Sequence, residues 1–287
     1  MERQPVAAPI DPDGGLSEIT GTRPLPHLGW QHSAFGRGLA LVGGAIALAL
    51  DVVRLTFHRP FAVREFIEQF WFVASVSVLP AILVAIPFGA VIALQLGSLT
   101  VQIGAQSFTG AASVLAVIQQ ASPIVTALMI SGAAGTAICA DIGSRTIREE
   151  IDAMAVLGVS PVQRLIVPRV WASVFVSALL NGLVSVVGVV GGYTFNVLLQ
   201  GGTPGAYLSS FSSLAQLPDL WVGEIKALIF GFIAAVIASY RGLHPRQGPK
   251  GVGDAVNESV VITFILLFLV NLIITTIYLH IVPSKVG

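Results

Sequence analysis

The sequence predicts an all-α integral membrane protein. It would have an N-terminal interfacial helix, five transmembrane helices and a short cytoplasmic helix between the second and third spans. Mean hydropathy is +0.84 and only 10% of residues are charged, whereas soluble domains carry about 25%. Two stretches have no charged residue, 72 residues from Gln69 to Ala140 and 49 residues from Val170 to Pro218. A charged segment with helical patterning, Ser144–Arg169, lies between them.

Composition excludes several classes of function. The formal net charge is zero, which argues against a nucleic-acid partner. The only cysteine, Cys139, lies in an apolar run of small residues. Neither a disulfide framework nor a cysteine metal site is therefore expected. The N-terminus is rich in proline and glycine without an apolar core, so it is not a secretory signal peptide. Residues 1–30 are predicted to be a flexible cytoplasmic tail.

The five spans follow from apolar segments of sufficient length, since a helix needs about 20 apolar residues to cross a bilayer. The uncharged block from Gln69 to Ala140 must contain two of them, joined by the turn-rich connection Gly97–Ala112. The predicted spans are about 71–96, 113–140, 170–199, 221–240 and 259–279. Residues 69–287 are therefore predicted to form one membrane domain.

Residues 31–68 form the N-terminal interfacial or re-entrant segment in this prediction. Its apolar run, Leu39–Leu50, has twelve residues and is too short to cross a bilayer. A sixth, tilted span over 35–57 is the alternative, and it would bury Asp51 and Arg54.

Lysine and arginine determine the predicted orientation, because cytoplasmic loops carry an excess of both. Basic residues precede the first span, lie in Ser144–Arg169 and recur in the loop Arg241–Asn257. The connections Gly97–Ala112 and Gln200–Leu220 contain none. Five spans place every basic region on one side of the membrane. The N-terminus is thus predicted to be cytoplasmic and the C-terminus extracytoplasmic.

Capping signals divide the charged segment into a short helix over about 146–157 and the beginning of a second helix that leads into the third span. Thr146 can cap the helix, with Glu149 completing a capping box. Gly158 is placed to end it, and Ser160–Pro161 to begin the next helix. Its apolar face would hold Ile147, Ile151, Met154 and Leu157.

Two roles are open for this helix. It could only anchor the loop at the membrane surface, or it could bind a protein. Its polar face is dominated by acidic residues, whereas anionic lipid surfaces attract lysine and arginine. The acidic face therefore favours a basic groove on a protein partner.

Small residues recur every four positions in two spans, which is typical of close helix–helix contact in membranes. They are Gly135, Cys139 and Gly143, then Gly132, Thr136 and Ala140, and finally Gly188 and Gly192.

The run REEIDAMAVLGVSP, followed by VPRVWAS, resembles the signature of the MlaE/YrbE permeases of MCE-type ABC lipid transporters. SPIVTALMISGAAGTAICADIG, VAIPFGAVIALQ and GPKGVGDAVNESVV resemble the same family, over about residues 60–280. The proline-rich tail and the composition are similar to the actinobacterial A-type, which pairs with an unlike B-type subunit.

The resemblance implies a permease that is not an enzyme and binds no metal or cofactor. ATP and Mg²⁺ would bind two copies of a separate ABC ATPase. The helix would dock on that ATPase through six residues: Arg148, Glu149, Glu150, Asp152, Met154 and Leu157. A second permease subunit and extracytoplasmic MCE-domain proteins are the other implied partners. The cargo would be a lipid (fatty acid, mycolate, sterol or phospholipid), and the direction uptake across the inner membrane.

The chain departs from the family at charges common in its spans. Gln119 and Gln120 replace an Arg-Glu pair, Ala133 replaces an arginine and Asn271 replaces an aspartate. Either an unlike partner handles the lipid head group, or the cargo is less polar than a phospholipid. The lipid path is predicted to include Phe88, Ile92, Gln95 and Asn271.

Two other classes of protein are alternatives, a secondary lipid transporter and an intramembrane protease. A secondary lipid transporter needs ionisable groups at mid-membrane, and the first, second and fifth spans have none in their cores. Gly251-Val252-Gly253-Asp254 matches the GxGD pattern of presenilin-like proteases. That chemistry needs a second aspartate on a neighbouring span, and no Tyr-Asp pair is present.

Overall fold

The computed structural model describes residues 34–57, 62–104, 109–199 and 217–281, with 201, 203–205, 207 and 209. The chain divides into two units, with the boundary between Gly44 and Ala45. The predicted tail lies outside the described residues, and so does the C-terminus after Ile281. The helices are α1 Ala34–Thr56, α2 Val63–Gln102, α3 Thr109–Ile147, α4 Glu150–Val156, α5 Val167–Leu199, α6 Leu217–Leu243 and α7 Gly248–Ile281.

Five of these helices, α2, α3, α5, α6 and α7, are long and apolar enough to cross a membrane. The all-α class and the five-span count are thus confirmed. Helix α1 precedes them and is not among the candidate spans in the described part of the chain. Its 23 residues continue well past the apolar run Leu39–Leu50 on both sides.

The spans extend beyond the predicted apolar cores. Helix α2 continues to Gln102 and α3 already begins at Thr109, so the predicted connection Gly97–Ala112 is largely helical. The hydroxyls of Thr100 and Thr109 lie 2.6 Å apart and join the two helix ends. The predicted loop Arg241–Asn257 is also wrong over most of its length. Helix α7 begins at Gly248, because Pro249 in its first turn has the φ angle that a helix requires.

Helix α2 packs on α5 along a row of small or polar residues at four-residue spacing. The row contains the buried positions Val73, Ser77, Ala81, Ala85, Gly89, Ala93 and Gly97. A Cβ atom added at Gly89 would lie 2.2 Å from the carbonyl oxygen of Gly188 on α5. The predicted contact role of Gly188 and Gly192 is therefore confirmed, with α2 as the partner helix.

Helix α3 packs against both α6 and α7. Its Cys139 is fully buried, and its carbonyl oxygen lies 2.9 Å from a Cβ built at Gly242 of α6. A Cβ at Gly143 would lie 3.0 Å from Val252 on α7. The prediction holds for these two residues. It does not hold for Gly132, which has open space around its Cβ position among the described residues.

The second half of α1 is tied to the membrane domain. Val52 is fully buried. Trp171 of α5 donates a hydrogen bond from Nε1 to the hydroxyl of Thr56, at 2.8 Å. This end of α1 therefore lies beside the start of α5.

Candidate functional site: the segment between the second and third spans

Helix α4 is shorter than predicted and begins later. Thr146 is not its cap: α3 continues to Ile147, and the Thr146 hydroxyl donates to the carbonyl oxygens of Ile142 and Gly242, both at 3.0 Å. Since that hydroxyl already has acceptors on α3 and α6, the predicted capping box does not form. The break comes at Glu149, whose φ of 59° is left-handed. Such a conformation costs a non-glycine residue about 1 kcal/mol.

The C-terminal end of α4 agrees with the prediction. Gly158 has a φ of 74°, which glycine adopts without steric cost. Its backbone amide donates to the carbonyl oxygen of Ala155, and the amide of Val159 donates to the carbonyl oxygen of Met154, both at 3.0 Å. These two bonds form a Schellman motif. The Ser160 hydroxyl then accepts a hydrogen bond from the amide of Gln163 at 3.4 Å, so the helical chain restarts where the sequence predicts.

One face of helix α4 packs against the rest of the protein, and the opposite face is exposed. Ile151 is half-buried and packs against the core, and Met154 is half-buried. Val156 and Leu157 are 88% and 78% exposed, so Leu157 does not share the packed face that the pattern gave it. An exposed apolar pair beside acidic side chains can contact a partner.

The predicted polar docking residues are all exposed. Arg148 Nε lies 2.9 Å from a Glu150 carboxylate oxygen, so these two charges offset each other. Glu149 and Asp152 have no cation within 4.0 Å among the described residues. The uncompensated charge on this face is therefore negative, as the docking hypothesis requires.

The base of the segment contains an ion pair between a buried arginine and a half-buried aspartate, which the sequence pattern did not reveal. Arg169 of α5 is fully buried, and its Nη2 donates to an Asp141 carboxylate oxygen at 2.6 Å. Arg145 lies one helical turn after Asp141, and its Nε is 3.3 Å from the same carboxylate. The only sequence signal was that these charges border the apolar spans.

Further contacts hold the base of the segment against α6 and α7. A Cβ at Gly242 would lie 2.8 Å from the Cβ of Ile142. Arg241 of α6 forms an ion pair with Glu258 of α7. The end of α3 that leads into α4 is therefore in contact with both helices, and a displacement of α3 would reach them directly.

A second polar group lies inside the spans and is called here the Lys226 cluster. Its members are Gln119, Asp219, Lys226, Thr275 and Tyr278, on α3, α6 and α7. Tyr278 and Gln119 donate to the Asp219 carboxylate at 2.5 and 2.8 Å. Lys226 is 2% exposed and donates to Thr275 at 2.8 Å.

A proline explains one of the contacts of Lys226. Pro123 has no N–H, so the carbonyl four residues earlier, at Gln119, lacks its usual intrahelical donor. The helix is π-helical there, over Val117–Ala121, and Lys226 Nζ donates to that carbonyl at 3.3 Å. A cavity of about 10 Å³ lies among these groups, which is room for about one water.

The four predicted lipid-path residues do not lie in one place. Phe88, Ile92 and Gln95 are on α2, where Phe88 and Gln95 are exposed. Asn271 is on α7 and is buried, and its side-chain oxygen has no hydrogen-bond partner among the described residues. A larger apolar groove, about 410 Å³, lies between α2 and α5 beside Ile86 and Phe195. None of the four lines it, and their role stays a prediction.

The family profile described as Permease MlaE matches residues 66–277, which is most of the chain. The chain belongs to the MlaE permease family. A probable ABC transporter permease protein of Rickettsia felis is 31% identical over 83% of this chain and 92% of its own length. The intermembrane phospholipid transport system permease protein MlaE of Haemophilus influenzae is 28% identical over 85% and 91%. The chloroplastic TRIGALACTOSYLDIACYLGLYCEROL 1 of Arabidopsis thaliana is 25% identical over 88% and 72%.

These relatives decide between the classes of protein. MlaE permeases are non-catalytic subunits, and ATP hydrolysis belongs to a separate subunit, as predicted. The alternatives of a secondary transporter and an intramembrane protease gain no support. The chain is a multi-pass membrane protein, while the actinobacterial A-type assignment stays a prediction.

Proposed function

We propose that this MlaE permease docks through α4 on an ABC ATPase and moves phospholipid-class lipids across the inner membrane. The observation that carries the proposal is the open face of α4. It combines exposed Val156 and Leu157 with the uncompensated charges of Glu149 and Asp152. Apolar anchors surrounded by charge are typical of protein interfaces. The phospholipid class follows the name of the Haemophilus influenzae relative.

The proposed complex contains further subunits. Two ATPase copies bind ATP and Mg²⁺, and MCE-domain proteins carry lipid on the extracytoplasmic side. The second permease subunit is unlike this one, because Gln119, Gln120 and Asn271 replace charges common in relatives. The proposed direction is uptake. Each of these points rests on the family resemblance.

The proposed lipid path includes groups from the Lys226 cluster. Ionisable side chains buried in membrane helices commonly mark substrate paths. Lys226 and Gln119 are therefore added to the path residues Phe88, Ile92, Gln95 and Asn271. Lys226 would give the path a polar contact in addition to the head-group site on the unlike partner subunit, while the exposed apolar side chains of α2 would contact the acyl chains.

Charge reversal on α4 tests the docking. A tagged Glu149→Lys/Asp152→Lys chain is expressed in the native host, solubilised gently and captured. Like charges placed across an interface cost at least about 2 kcal/mol, roughly thirtyfold in affinity. The captured variant should therefore lack the ATPase, measured by mass spectrometry and by ATP hydrolysis in the eluate.

Glu68→Lys is the matched control, since Glu68 is an exposed acidic residue on α2. It should retain the ATPase, and carbonate extraction should find all three chains in the membrane. A wild-type chain that captures no ATPase, or a charge-reversed chain that keeps it, would contradict the proposed function.

A further inference from the structure

We infer that Asp141 and Arg169 are positioning residues that make α3 and α5 move together when α4 is displaced. The inference rests on the proposed docking of α4. Its basis is the ion pair at the base of the segment, in which Arg169 Nη2 lies 2.6 Å from an Asp141 carboxylate oxygen. The two residues are 28 positions apart, one near the end of α3 and the other at the start of α5.

The backbone between them contains breaks that could absorb movement. Glu149 and Gly158 have left-handed φ angles of 59° and 74°, on either side of α4. A π-helical stretch, Val162–Ile166, follows before α5 begins. A displacement of α4 could be taken up by rotation at these points. A direct link between Asp141 and Arg169 bypasses them.

The buried guanidinium forms one ion pair, and two of its three nitrogens have no hydrogen-bond partner among the described residues. Arg169 is fully buried, and its Nε and Nη1 have no hydrogen-bond partner among the described residues. Charge-assisted hydrogen bonds are strong and directional, more so where water is excluded. Farther along the two helices, Ser122 of α3 is hydrogen-bonded to Asn181 and Ser185 of α5. Beside α4, however, the side-chain link from Arg169 to α3 depends on Asp141.

Arg145 shares the carboxylate but cannot provide this link. It lies on α3, four residues after Asp141, and its side chain is 32% exposed. Its ion pair thus stays within one helix. Arg145 is the natural control, since replacing it removes a charge from Asp141 without disconnecting α5.

A purely structural role predicts different behaviour from a positioning role. Removing Asp141 alone would leave the Arg169 charge buried without a partner, which is strongly destabilising. The double variant Asp141→Asn/Arg169→Met removes both charges at similar volume, and it should fold. If the pair only stabilises the fold, this variant should transport normally.

The experiment uses the captured complex in vesicles of phosphatidylethanolamine and phosphatidylglycerol with NBD-labelled phosphatidylglycerol. ATP hydrolysed and NBD lipid moved are measured in the same vesicles. The double variant should keep the ATPase at wild-type stoichiometry while the lipid moved per ATP falls roughly tenfold, the usual scale of coupling between sites. Arg169→Lys should retain part of the wild-type ratio, and Arg145→Met all of it.

Three outcomes would overturn the inference: a wild-type ratio in the double variant, an equal loss in Arg145→Met, or failure of the double variant to hold the ATPase. A wild-type complex that holds no ATPase or moves no NBD lipid would instead count against the proposed function. The two failures are therefore distinguishable.

Discussion

Gly89 shows how closely single residues control the packing of this permease. A Cβ atom there would lie 2.2 Å from the carbonyl oxygen of Gly188 and 2.9 Å from its Cα. Both are backbone atoms, so no side chain can rotate away to make room. Small residues allow such contact between membrane helices, where dispersion and polar contacts replace the hydrophobic effect.

Gly89→Ala should therefore destabilise the helix bundle. Overpacking of this kind costs about 2 kcal/mol, because α2 and α5 must separate along their row of contacts. The thermal unfolding midpoint in detergent should fall, measured by intrinsic fluorescence. Gly253→Ala is the control, since nothing lies within 4 Å of its Cβ position. A midpoint that falls equally in both variants would show that helix packing at Gly89 is not the cause.

The ion pair of Arg169 could not be predicted from the sequence. The sequence identified it as one of the basic residues that orient the chain, and residue spacing can identify only local neighbours. Its partner Asp141 lies 28 positions earlier on another helix, so no periodicity relates the two. Thr146 fails for a related reason. Its hydroxyl bonds to Gly242, 96 positions away.

The number of membrane-spanning helices was predicted correctly, but the helices are longer than predicted. Hydropathy marks the part of a helix inside the hydrocarbon, whereas backbone hydrogen bonding continues past it. Helix α2 thus has 40 residues, although about 20 suffice to cross a bilayer. The row on α2, in which Val73 and Ser77 precede alanines and glycines, was not among the predicted contact positions. The acidic, open face of α4 was predicted, since it depends only on local spacing.

Gly158 offers a prediction at the scale of one element. Gly158→Ala should weaken ATPase binding, because alanine at a φ of 74° is strained. The cost is about 1 kcal/mol, roughly fivefold in affinity, since the Schellman motif must open. Binding is measured by titrating purified ATPase onto the permease in nanodiscs. Asparagine tolerates the left-handed region, so Gly158→Asn should bind almost normally. Equal affinities for glycine and alanine would mean that the end of α4 does not contribute to docking.

At the scale of the whole molecule, five candidate spans place the two ends of the membrane domain on opposite sides. Except for Lys226 within α6 and Lys285 after α7, the lysines and arginines fall on the side that carries α4, and the positive-inside rule predicts that this side is cytoplasmic. An ATPase can reach α4 only from that side. The orientation and the proposed docking therefore depend on each other.

Cysteine labelling tests this orientation in intact cells. The native Cys139 is fully buried, so it provides a silent background for introduced cysteines. Thr203, after α5, and Lys250, at the start of α7, are both exposed. Thr203→Cys should react with a membrane-impermeant maleimide in intact cells, and Lys250→Cys only after permeabilisation. The reverse pattern would place α4 outside the cell, where no ATP-driven subunit could bind it. Reaction of both sites in intact cells would mean that α6 does not cross the membrane.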